Sequence, residues 1–175
     1  MKQRLANCIG AALVAALFAG VSARAADEWP QFRGPRSNGH ADSAKLPLSW
    51  SETENVSWKV AVPGTGHSSP VISGDQIWVT TAVEAKLSEA EEKERLAAIK
   101  NSRGLEIAGS ISLRAICVSG DSGKVLHDVE LIKVDEPEPI HSLNSYASPT
   151  PILEAGRLYC HFGTYGTVAV DTKSG

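Results

Sequence analysis

The chain has 175 residues, 42% hydrophobic and 21% charged, a globular composition that excludes a disordered tail. Seventeen Lys and Arg against twenty Asp and Glu leave a net charge of −3, which gives neither nucleic acid nor an anionic membrane surface an electrostatic claim on it. Nine Pro and fifteen Gly punctuate the chain, favouring many short strands over long helices.

The first element is an address. Lys2 and Arg4 precede an apolar run over residues 8–21, and Ala23-Arg24-Ala25 supplies a small-x-small cleavage pattern. This order predicts a secretory signal peptide over 1–25, because the apolar run is shorter than the roughly 20 residues a membrane span needs. Cys8 lies at the start of the run, ahead of any small-residue pattern, so no lipobox is read there. Cleavage removes three positive charges and no negative ones, leaving an exported, periplasmic or extracellular chain of net charge about −6 with no transmembrane helix. Residues 26–55 then form a lead segment.

The rest is organised by a repeat. Ser69-Pro70-Val71-Ile72-Ser73-Gly74-Asp75-Gln76-Ile77-Trp78-Val79 lines up with Thr150-Pro151-Ile152-Leu153-Glu154-Ala155-Gly156-Arg157-Leu158-Tyr159-Cys160, 81 residues on. Each reads as a hairpin of two short strands around a tight turn. Ile116-Cys117-Val118-Ser119-Gly120-Asp121-Ser122-Gly123 matches Val168-Ala169-Val170-Asp171-Thr172-Lys173-Ser174-Gly175 at an offset of 52, a strand entering a polar turn in which Asp121 and Asp171 are expected to accept backbone N–H bonds. The 29-residue difference between the offsets is an insertion in the first copy. It is placed at 84–110, with a helix near 88–101 that opens on a Ser88/Glu91 capping box, carries Glu89–Lys93 and Glu91–Arg95 at i,i+4, and stops at Asn101 to Gly104. The helix reads as solvated.

A third match, Val56-Ser57-Trp58-Lys59-Val60-Ala61-Val62 with Val125-Leu126-His127-Asp128-Val129-Glu130-Leu131, makes 56–62 an outer strand that precedes its own partners. Such a strand is expected to close the last unit of a ring. The predicted class is therefore all-β, a β-propeller of four-stranded blades. A first blade covers 69–131 with its helical insertion, and an incomplete second blade covers 147–175. About two blades make an incomplete ring, so the residues are expected to be the amino-terminal piece of a longer protein. The rival architecture is a complete small β-sandwich binding domain.

Trp29-Pro30-Gln31-Phe32-Arg33-Gly34-Pro35 with Asn38-Gly39, Gly66-His67-Ser68-Ser69-Pro70, Asn144-Ser145-Tyr146-Ala147-Ser148-Pro149-Thr150-Pro151 and His161-Phe162-Gly163-Thr164-Tyr165-Gly166 resemble the exported PQQ-like β-propeller repeat proteins. The resemblance runs from about Trp29 to Gly175. It departs at His127, where the family's repeat usually has Trp; Trp58 keeps the aromatic. The family includes the BamB-type subunit of the outer-membrane protein assembly machinery, which implies a non-catalytic scaffold for protein or peptide partners. It also includes periplasmic alcohol and sugar dehydrogenases holding pyrroloquinoline quinone and Ca²⁺ on the propeller axis. By resemblance alone, quinone is the one cofactor implied, with its site in blades beyond this stretch.

The residues themselves support no cofactor. No clustered Asp, Asn and Glu set fits a calcium ion, and no vicinal cysteine pair is present. Cys117 and Cys160 form no Cys-x-x-Cys; export permits a disulfide between them, and a buried free thiol is equally natural. The serines before Pro lack a Gly-x-Ser-x-Gly elbow, and the histidines lack metal-ligand spacing, so no catalytic or metal residue is assigned. His67, His141, Asn144 and Tyr146, in segments where connections gather, are the ligand-contact candidates.

Overall fold

A computed structural model describes residues 28–41 and 47–175; the signal peptide expected over 1–25 and parts of the lead segment lie outside the described residues. The elements in chain order are β1 (Val71–Ser73), β2 (Gln76–Ala85), α1 (Glu89–Ala97), β3 (Leu105–Glu106), β4 (Ser110–Ser119), β5 (Val125–Asp135), β6 (Ile140–His141), β7 (Ile152–Glu154), β8 (Arg157–His161) and β9 (Thr167–Asp171). The class is all-β. A first sheet runs β1-β2-β4-β5 and a second runs β7-β8-β9, each an antiparallel meander and neither closed on itself, with β3 and β6 forming a small separate pair.

The internal repeat holds residue by residue. In the first sheet Val71 lies opposite Trp78, which lies opposite Cys117; in the second, Ile152 lies opposite Tyr159, which lies opposite Ala169. Both offsets read from the sequence, 81 and 52, therefore give one register. The turns match as well. Gly120 N–H donates to Asp75 O at 2.7 Å where Thr172 N–H donates to Gly156 O at 3.0 Å, and Gly123 N–H donates to Ser119 O where Gly175 N–H donates to Asp171 O. The Asp171 carboxylate accepts from the N–H groups of Lys173 and Ser174, which holds its pKa below the ordinary value. In the other copy Ser119 takes that place, its Oγ accepting from Ser122 N–H, while Asp75 accepts from Asp121 N–H.

The two sheets share one core. Alternation along each strand sends Val71, Trp78, Leu113, Ala115 and Cys117 of the first sheet and Leu153, Leu158, Cys160 and Val170 of the second into a single buried cluster. Cys117 and Cys160 are both buried and free. Burial pushes each thiol up to about 12, so neither presents a thiolate. The lead segment splints this arrangement: Trp29 exchanges two backbone hydrogen bonds with Ile72 of β1, and the next residue, Pro30, accepts from Leu153 N–H of β7.

Two expectations need revision in detail. β2 and β4 run past the boundary assumed for the insertion and pair from Gln76–Ser119 to Ala85–Ser110, so the inserted sequence first lengthens a hairpin and only then leaves it. The helix begins at the Ser88 cap as read, with both halves of the capping box formed, but ends at Ala97, before Asn101. Arg95 reaches over to donate to the carbonyls of Ala108 and Pro137. Residues 56–62 have no strand partner among the described residues. Their Trp58 instead lies against the first sheet's turn, its Nε1–H donating to Gly120 O at 2.7 Å.

Candidate functional site

At one end of the sheets the extended β2–β4 hairpin, the insertion and the connection after β5 converge. β3, within the insertion, pairs with β6, within that connection: Leu105 opposite His141 and Glu106 opposite Ile140. This pairing roofs a groove of about 460 Å³. Its walls carry Thr65 and His67 from the segment just before β1, Glu84 from the end of β2 and Lys86 just past it, Glu92 from α1, Glu106 from β3, and Ser142, Asn144 and Tyr146 from the connection.

Three of the four sequence candidates thus share one wall. His67 anchors through its backbone, its N–H donating to Ala147 O and Ser145 Oγ, and leaves an exposed imidazole with no hydrogen bond among the described residues. Asn144 is exposed and its Oδ1 accepts from Ser148 Oγ in a short hydrogen bond. Tyr146 plays another part: it is buried, and its hydroxyl donates to Glu138 O at 2.8 Å while Glu138 N–H donates to Tyr165 Oη at 2.9 Å. The two rings, 6.3 Å apart and tilted, clasp the connection between them. Burial pushes the Tyr146 phenol up to about 12, so it stays neutral and works as a donor. His141 sits in β6 with its ring away from the lining: an ideal Cβ on Gly104 would lie 3.2 Å from its Nε2, and its Nδ1 accepts from Leu143 N–H.

The groove's electrostatic character comes from residues that sequence reading passed over. Glu84, Glu92 and Glu106 face a single Lys86. Partial burial raises the Glu84 carboxyl above its ordinary value, the negative charge of Glu106 raises it further, and Lys86 opposes both. The only advance signal was Glu84-x-Lys86 at a strand end; Glu106 joins them because β3 finds β6, a pairing of two-residue strands invisible in composition. Chemically the site is a polar, net-negative trough suited to cationic or multiply hydrogen-bonding groups. No nucleophile is paired with a base in it.

Among the described residues no three His, Cys, Asp or Glu side chains converge as a metal requires. No step of quinone chemistry is assigned to these residues. No family model, curated protein or solved structure matches the chain.

Proposed function

We propose that this chain belongs to an exported β-propeller repeat protein acting as a non-catalytic scaffold, with protein or peptide partners bound at the cell envelope. The observation that carries the reading is the twofold use of one register, one turn and one face-to-back stacking by two successive sheets, which is how radial repeats are built. The sandwich alternative is disfavoured by the sheet faces. A sandwich sheet turns one face to water, whereas the first sheet buries Ile116 and Val118 on the face opposite its core, and the second leaves Ile152 and Tyr159 apolar and open on its far face.

In this reading the trough beneath β3 and β6 takes the Lys- or Arg-bearing segment of a partner, since three carboxylates outnumber one ammonium there. The test is fluorescence anisotropy with a labelled Lys/Arg-rich peptide and its Asp/Glu-rich counterpart. The basic peptide is expected to bind, to weaken as salt rises, and to lose affinity several-fold in the double variant Glu84→Gln/Glu106→Gln. Equal binding of both peptides, or of neither, sinks the reading. So does alcohol- or sugar-dependent dye reduction on addition of quinone and Ca²⁺.

A further inference from the structure

The roof of the trough is fixed on one side and hung on the other. The connection that carries β6 is clasped to the body: Pro137 is fully buried, the Glu138 carbonyl accepts from the Tyr146 hydroxyl, and Glu138 N–H donates to Tyr165 Oη. The insertion that carries β3 is rooted at its base, where Gly109 N–H donates to Ala85 O at 2.8 Å and Ile107 and Ala108 are buried. Beyond that root the packing thins, and α1 buries none of its residues. Across the trough, residues 86–106 are tied by the two-residue β3–β6 pair, flanked by Ser142 N–H donating to Gly104 O at 2.8 Å, and by Arg95, whose guanidinium donates to Pro137 O at 3.4 Å. A ladder this short carrying an exposed helix is among the first parts of a fold to open.

Charge works against the same seam. The hung side brings Glu106 of β3 and Glu92 of α1 to the trough, and the body presents Glu84 from the end of β2. Burial raises the Glu84 carboxyl and the charge of Glu106 raises it further; Lys86 opposes with the smaller of the two charge effects. Closing the roof over an empty trough thus sets carboxylate towards carboxylate. A positive group seated beneath the seam removes that repulsion and is attracted to both sides.

We propose that residues 86–106 form a lid over the trough, which swings from the Ala85–Gly109 root, parts at the β3–β6 seam to admit a partner's Lys- or Arg-bearing segment, and is held shut by that segment's charge. The proposal rests on the basic-segment reading of the trough and adds how that site is gated. Lid closure and binding are then coupled, each favouring the other by the same free energy. Opening precedes both entry and exit, so the lid slows association and dissociation alike.

Hydrogen exchange followed by mass spectrometry at a single pH reads the lid directly. In the free chain the amides of α1 and β3 are expected to be at least about tenfold less protected than those of β2 and β4, and the Lys/Arg-rich peptide should raise their protection. Glu84→Gln removes one of the opposed carboxylates and should raise lid protection with no peptide present. A disulfide staple supplies the kinetic arm. Leu105 and His141 lie directly opposite each other, so Leu105→Cys/His141→Cys can be oxidised and reduced in one and the same protein, Cys117 and Cys160 being buried. Oxidation is expected to slow association of the basic peptide more than about tenfold, and reduction to restore it. Peptide binding that leaves lid exchange unchanged, an association rate indifferent to oxidation, a free lid as protected as β2 and β4, or a Glu84→Gln lid no better protected than the native one overturns the gate and leaves the basic-segment reading in place. A reduced chain that does not bind the basic peptide fails at that reading, and the gate falls with it.

Discussion

Gly123 has no room for a side chain. Its φ of +68° already belongs to glycine, and an ideal Cβ would lie 2.6 Å from the Trp58 ring. Gly123→Ala combines backbone strain with overpacking against an aromatic, and is expected to lower stability by about 2–3 kcal/mol, read from the urea midpoint. Ala155 offers the converse. It holds φ +48° in the β7–β8 turn beside Gly156 at +75°, a pair of left-handed residues for which Asn-Gly or Gly-Gly is the favoured chemistry. Ala155→Gly or Ala155→Asn should raise the melting temperature, with a gain of about 1 kcal/mol. The difference between these sites marks what residue-level reading reaches. The turn at Ala155 was legible because its signal is local, whereas the tightness at Gly123 comes from a ring 65 positions earlier in the chain.

Among the elements, α1 was the most legible and the β3–β6 pair the least, for the same reason. A capping box is written in four consecutive residues. Ser88 Oγ accepts from Glu91 N–H, and the Glu91 carboxylate accepts from Ser88 N–H at 3.0 Å. The Ser88 hydrogen bonds hold the Glu91 carboxyl below its ordinary 4.5. A depressed folded-state pKa contributes order above the ordinary value and loses it as pH falls through the lowered one. Amide protection in α1, taken relative to the intrinsic exchange rate at each pH, should therefore fall on acidification below the ordinary carboxylate range, while protection in β2 and β4 holds. In Ser88→Ala, where the backbone N–H of residue 88 still donates to Glu91, that acid step should shrink, with α1 less protected at every pH. A step of unchanged size in the variant would remove the cap from the account. β3 and β6, by contrast, are two residues each and 34 apart in sequence, and no periodicity exists at that length. The three glutamates of the trough went unread with them, since only that pairing brings Glu106 towards Glu84.

On the scale of the whole molecule, the repeat was readable because the same turn and the same aliphatic–aromatic–aliphatic strand recur at fixed offsets. What the pattern could not say is which face of each sheet meets the other, because hydrophobic residues line both. The buried thiols report on that interface. Cys117 and Cys160 lie in the shared core with thiols pushed up to about 12, so alkylation at mildly alkaline pH should label neither in the native chain and both in urea; native labelling would mean the sheets part. A sharper measurement compares two aliphatics of the second sheet's hairpin that point opposite ways. Leu158 is fully buried between the sheets, and Ile152, in the adjoining strand, is 48% exposed on the far face. Leu158→Ala empties part of a core held by both sheets and should cost about 2–5 kcal/mol, unfolding them together in one transition. Ile152→Ala, measured in dilute solution where the chain stands alone, should cost less than about 1 kcal/mol, because water already reaches the side chain it removes. The ratio of the two fixes the direction in which the sheets stack: near-equal losses would mean that the far face is covered even in the isolated chain, and the face-to-back order of the two sheets would have to be redrawn.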